Sequence, residues 1–138
     1  MPKHLRIFSD GGSRGNPGPA AIAFLILSDN GQVFMAKSRY VGSRTNNQAE
    51  YEALIAALRS ALELNAEEVF CHLDSELVKR QVTGEYSVKN SQLRKLWAKV
   101  EELRKRFKKA SFVSVPRTNI HIQKADALVN EALDQQLS

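Results

Sequence analysis

One cysteine, Cys71, stands in the whole chain, so no intramolecular disulfide can form, and the usage suits a reducing compartment. Its neighbours Val69, Phe70 and Leu73 mark it as a core residue. No run of about 18 apolar residues occurs, which excludes a membrane-spanning helix. The first residues, MPKHLRIFSD, carry only a short apolar run broken by Arg6, so no signal peptide is read and the expected location is cytoplasmic. Internal repeats and low-complexity segments are also missing. What is present is 138 residues with 43% hydrophobic content, enough for one core, and a single domain over 1–138 is expected. The net charge of +5 favours a polyanionic partner without fixing fold or reaction.

Turn residues divide the chain. Leu5 to Ser9 reads as a short strand ending at Asp10, and Gly11 to Pro19 as a loop. Ala20 to Leu27 and Val33 to Val41 read as strands joined at Asp29-Asn30-Gly31, where Asn-Gly signals a hairpin. Asn46 to Leu64, rich in Ala, Leu and Glu, predicts a helix. Val69 to Leu73 is a fourth strand, succeeded by a brief helix after Ser75 that Gly84 breaks. A basic helix is expected from about Ser91 to Lys109, a fifth strand from Ser111 to Val115, and a last helix from near Lys124. A meander and then two crossovers predict an α/β fold: a mixed sheet with strands one, four and five parallel, strand two antiparallel, and helices on the faces.

In such sheets ligands gather beyond the carboxyl ends of the parallel strands. Asp10 and Asp74 both fall there. Glu50 lies within about 40° of Leu54 on the first long helix, on the stripe of Leu58 and Ala61, so it faces the sheet. Asp126 falls in the predicted first turn of the last helix, beside its apolar stripe. Each has an ordinary reading alone: Asp10 as a turn residue, Asp74 as a helix cap, Asp126 as a dipole-stabilising acid. Converging carboxylates need counter-charge, and a cage for hard divalent cations supplies it.

The blocks DGGSRGNPGPA, TNNQAEYEAL, LDSELVKRQVTGEYSVKN and KADALVNEAL, in that order, resemble type 1 ribonuclease H over nearly the whole chain. The resemblance implies the ribonuclease H-like fold, a five-stranded mixed sheet of order 3-2-1-4-5. It also implies an endonuclease that cuts the RNA strand of an RNA/DNA hybrid, leaving 5′-phosphate and 3′-hydroxyl ends. By the same resemblance Asp10, Glu50, Asp74 and Asp126 hold two Mg²⁺ ions, with Mn²⁺ able to substitute. One ion would activate the attacking water and the other would stabilise the leaving oxygen. Asn16, Asn46, Asn47 and Gln48 match positions that read the 2′-hydroxyl of the RNA strand. Thr45 and Asn90, with Arg44 beside them, match a pocket for a phosphate of the DNA strand.

Three departures from the family pattern stand out. Only VTGEYS separates Gln81 from Val88, where longer members carry a basic protrusion, so the chain is similar to the compact, archaeal-type form. Arg94, Lys95, Lys99 and Arg106 of the basic helix are then candidate backbone contacts, with a solvated helix face as the ordinary alternative. Trp97 reads as a core anchor. In the loop expected before Asp126, Ile122 replaces an Asn, Arg117 lies farther off than usual, and His121 is a candidate for product or metal release. No hybrid-binding module is expected before the domain, so a non-processive monomer with no protein partner is expected. The rival readings are a nuclease-silent module that binds hybrid or double-stranded RNA, and a DNA strand transferase on the same fold.

Overall fold

The computed structural model describes residues 3–138. The elements are β1 (His4–Ser13), β2 (Gly18–Ser28), β3 (Val33–Arg44), α1 (Asn46–Glu63), β4 (Glu68–Leu73), α2 (Glu76–Val82), α3 (Ser91–Arg104), β5 (Lys109–Ser114) and α4 (Ile120–Leu137). They form one five-stranded sheet of order β3-β2-β1-β4-β5. β1 pairs parallel with β4, β4 parallel with β5, and β2 antiparallel with both neighbours. Among the described residues no helix is long and apolar enough to cross a membrane.

Alternation along β1 assigns the two faces. Leu5 and Ile7 join Val69, Cys71 and Leu73 of β4 in a core beneath α1 and α3, with Leu54, Leu58, Val100 and Leu103 as helix partners. Phe8, Leu25 and Leu27 meet Ile122 of α4, and Ala21 and Ala23 meet Ala125, Val129 and Leu133. Helices therefore cover β2 on both sides, and from Ala20 to Leu27 every residue of it is buried. Double burial explains its unbroken apolar run in an antiparallel strand, where one-sided burial would leave alternation.

Three boundaries differ from the sequence expectation by four residues or more. β1 continues through Gly11, Gly12 and Ser13, which pair with Ile22, Ala21 and Ala20, so the expected loop shrinks to residues 14–17. Glycine is required at position 11 because α1 lies directly on it: a side chain there would collide with the Ala49 carbonyl. α3 stops at Arg104 rather than Lys109, since the chain turns to bury Phe107 and Lys109 pairs with Glu68 in the sheet. α4 begins at Ile120 rather than near Lys124, because Asn119 caps it, its Oδ1 accepting from the His121 and Ile122 amides. His121 is thus in the first turn of a helix and not in a loop, and Asp126 lies in the second turn, not the first.

A buried polar pair fastens α1 to α2. The Tyr51 hydroxyl, wholly buried, donates to Gln81 Oε1 at 2.7 Å, and Trp97 Nε1 donates to the Gln81 carbonyl at 3.1 Å. Trp97 thereby anchors α3, as its sequence context suggested. Tyr51→Phe removes the donor and leaves a buried amide oxygen unsatisfied, so we expect a loss of roughly 1–3 kcal/mol in denaturant unfolding. An unchanged midpoint would show that water replaces the hydroxyl.

Candidate functional site

Asp10, Glu50 and Asp74 each offer a carboxylate oxygen, and these oxygens lie within 4.8 Å of one another. Strand register brings two of them together: Phe8 pairs with His72 across β1 and β4, and two residues further on Asp10 and Asp74 stand on the same face. Glu50 arrives from α1, where it is the fifth residue and buried against the sheet. The Gly11 amide donates to Glu50 Oε1 at 2.7 Å. The missing side chain of Gly11 and its N–H thus both serve the site, one admitting the helix and the other orienting its glutamate.

The ordinary readings of these acids lose ground in this geometry. Asp10 is inside a strand, paired with Ala23, and not in a turn. α2 is capped by Ser75, whose hydroxyl accepts from the Val78 amide, so Asp74 is free of capping. Asp126 lies too far into α4 to complement its dipole. It is exposed and outside the group of three, yet it lines a pocket with Asp74, Arg117, Ile122 and Gln123.

The electrostatics are those of a crowded anionic site. Burial, reinforced by Asp74 and Asp126, pushes the Asp10 carboxyl up to about 7. Burial and then the charge of Asp10 raise Glu50 well above the usual carboxylate range. Arg117 Nε donates to Asp74 Oδ2 at 3.0 Å, and Asp74, Asp10 and Asp126 together raise the guanidinium pKa. This arginine is 86% exposed at its side chain, so the pair is screened and only weakly offsets the acids. Hard oxygen donors that converge in a buried setting and repel one another suit Mg²⁺ or Mn²⁺, by charge and by ligand type.

Beside the acids lies a polar pocket lined by Asn16, Thr45, Asn47, Gln48, Asn90, Gln92 and Leu93. Thr45 and Gln48 form a capping box that starts α1, and Asn90 caps α3. Gln48 Nε2 also donates to Gln92 Oε1 at 2.6 Å, joining the two helix starts. Gln92 is a lining residue that the sequence reading missed, and nothing in the sequence marks it. Asn46 sits to one side: its amide N–H donates to Asn16 Oδ1 at 3.0 Å and its own Oδ1 accepts from the Ser13 amide. Arg44 turns away from the pocket, its Nε donating to Glu52 at 2.6 Å.

His121 is packed against Phe8, ring centroids 4.6 Å apart, and His72 stacks on Phe8 at 4.2 Å. Burial and then Arg6 lower the His121 pKa, and its buried Nδ1 has no partner among the described residues. This imidazole therefore sits within the contact between α4 and the sheet, against Phe8 of β1. Of the basic residues on and after α3, Arg94 lines a second pocket with Tyr86 and Trp97. Lys99 lies 3.8 Å from Glu102, while Lys95 and Arg106 are exposed.

Comparison with known proteins agrees with this geometry. The chain matches the model of the family described as reverse transcriptase-like over residues 8–132. It is 43% identical to ribonuclease HI of Halobacterium salinarum over 94% of its own length, and spans 64% of that protein. It is 40% identical to a bifunctional protein of Mycobacterium tuberculosis, spanning 35% of it. The crystal structure of RNase H1 from Halobacterium salinarum superposes with a TM-score of 0.92 at 40% identity, over 96% of this chain and 98% of that one. LC11-RNase H1, solved in complex with an RNA/DNA hybrid, superposes at 0.90 with 41% identity, over 97% and 99% of the two chains.

Proposed function

Because the chain belongs to the reverse transcriptase-like family, and within it to the type 1 ribonucleases H, we propose that it is an endoribonuclease acting on the RNA strand of RNA/DNA hybrids. The observation that carries this reading is the convergence of Asp10, Glu50 and Asp74 beside the Asn16, Asn47 and Gln48 pocket. One ribonuclease H unit is read over the chain, acting as a monomer.

Asp10, Glu50, Asp74 and, from α4, Asp126 would hold two divalent ions, Mg²⁺ or Mn²⁺. Bound there, the ions supply Lewis-acid activation of water and stabilisation of the leaving oxygen, giving 5′-phosphate and 3′-hydroxyl ends. The protein's own groups do the rest. Gly11 N–H fixes the Glu50 carboxylate, and the strand backbone fixes Asp10. Amides of the pocket present donors and acceptors to a 2′-hydroxyl, which DNA lacks, so the RNA strand is favoured over the acids. Thr45 and Asn90, on two helix starts that share one pocket, would receive a phosphate of the opposite strand. Arg117, paired with Asp74, and His121, in the first turn of α4, are the two candidates for a role in product release. The position of His121 under Phe8 favours Arg117 as the one that meets product.

The substrate assignment is tested by incubating the protein and Mg²⁺ with hybrid, duplex RNA, duplex DNA and an RNA-DNA junction. Cleavage confined to RNA opposite DNA is expected; equal cutting of duplex DNA would overturn it. Hybrid held along α3 adds a second expectation. Replacing Lys95, Lys99 and Arg106 by Ala should weaken binding and lower the salt slope by about one for each phosphate no longer neutralised, while turnover at saturating substrate is spared. An unchanged slope would return these residues to ordinary solvated surface.

A further inference from the structure

Asp126 is the most exposed of the four acids. Glu50 is held by the Gly11 amide and Asp74 by Arg117, whereas Asp126 is exposed and on a helix surface. Its side-chain hydrogen bond comes from Asn130, one turn further along α4. Asn130 Nδ2 donates to the Asp126 main-chain oxygen at 3.1 Å and to Oδ2 at 3.3 Å. The first of these bonds orients the amide, so its nitrogen faces the acid and its oxygen faces the other way.

That oxygen faces Arg14. The Arg14 guanidinium lies 3.5 Å from Asn130 Oδ1 and 3.4 Å from the Asn130 main-chain oxygen, and is anchored on Asp134 at 2.6 Å. A carboxamide is the side chain that can take a cation's N–H on one end and give an N–H to an anion on the other. An aspartate at 130 would place a second negative charge beside Asp126.

Arg14 opens the short loop that carries Asn16. The loop is closed at its base by the Arg14 amide donating to the Pro19 carbonyl at 2.8 Å, and Asn16 Oδ1 is tied to the start of α1 through the Asn46 amide at 3.0 Å. One loop therefore touches α1 on one side and α4 on the other. We propose that Asn130, held by Arg14, is a positioning residue for Asp126, and that through this tie the loop bearing Asn16 sets how firmly the fourth carboxylate engages metal. This rests on the metal-dependent reading above.

The test is calorimetric titration of the substrate-free protein with Mn²⁺, for wild type, Asn130→Ala, Arg14→Ala and the double variant. The three are surface substitutions, and melting in EDTA checks that each remains folded. Single exposed contacts are individually weak, so each substitution should lower Mn²⁺ affinity several-fold, not abolish it. Because both act through one amide, the double variant should lose little more than the worse single one. Turnover of Asn130→Ala on hybrid should recover at saturating Mn²⁺. Wild-type affinity in the single variants, or losses that multiply in the double, would overturn the tie while leaving the metal site standing. A wild-type protein that takes up no Mn²⁺ would instead fail the metal reading itself.

Discussion

Asp10→Asn should abolish hybrid cleavage and, in metal-free buffer near pH 8, raise the melting temperature. If Asp10 holds metal as proposed, its loss removes several kcal/mol of transition-state stabilisation, and at 1.36 kcal/mol per decade the rate should fall on the order of 10³-fold or more. Stability responds in the opposite direction because the folded protein holds the Asp10 carboxyl at about 7, against an ordinary 3.8. Between those two values the folded state keeps a proton that the unfolded chain has released, so wild-type stability falls as pH rises through the window, and the loss is complete above it. Asparagine carries no such charge. Its advantage in EDTA should be absent at pH 4, grow up to pH 7 and then level off, with an upper bound of about 4 kcal/mol. Adding Mg²⁺ should raise the wild-type melting temperature much more than that of the variant. A variant with near-normal turnover would remove Asp10 from the site.

Gly11→Ala should damage both fold and activity, although it adds one methyl group. That methyl would meet the Ala49 carbonyl carbon and oxygen and the Glu50 nitrogen, all backbone atoms of α1. Backbone cannot rotate aside as a flexible side chain can, so α1 must lift from β1, and overpacking of this sort costs typically about 1–3 kcal/mol or more. Lifting also lengthens the 2.7 Å bond from the Gly11 amide to Glu50, so metal affinity should fall with stability. Gly12→Ala serves as the control, since its nearest neighbour is the side chain of Val129 at 3.6 Å, an ordinary contact. Melting and Mn²⁺ titration of the two variants check the contrast. Equal behaviour at the two positions would show that the close approach at position 11 relaxes without consequence.

The legible and illegible parts of the sequence divide along physical lines. α1 was readable to within one residue because Thr45 and Gln48 make a local capping box and no Gly or Pro interrupts the helix after it. The hairpin was readable from Asn30-Gly31, where Gly31 takes a positive φ of 89°. Strand order 3-2-1-4-5, implied by the family resemblance, is the order observed. Glycines at 11 and 12 read as loop, because the reason for the glycine at 11, the nearness of α1, is tertiary and the strand pairing of both comes from β2. The start of α4 is not legible, because Asn119 caps it with a single side chain amid Thr118 and Pro116, which look like turn residues. Its observed start carries His121 out of the expected loop and under Phe8. Three of the four acids were brought together by strand register and helix phase, both local periodicities. The weaker placement of Asp126 depends on Asn130 and Arg14, which are 116 residues apart and invisible to any pattern within one element.

The most direct test of the account is single-turnover cleavage of a hybrid labelled on its RNA strand, titrated with Mg²⁺ from EDTA to saturation. Wild type should cut only the RNA, with 5′-phosphate and 3′-hydroxyl ends and a rate that rises from zero with metal, while Asp10→Asn stays at the uncatalysed background throughout. Cleavage that persists in EDTA, or a metal-saturated protein that leaves the hybrid whole, would contradict it.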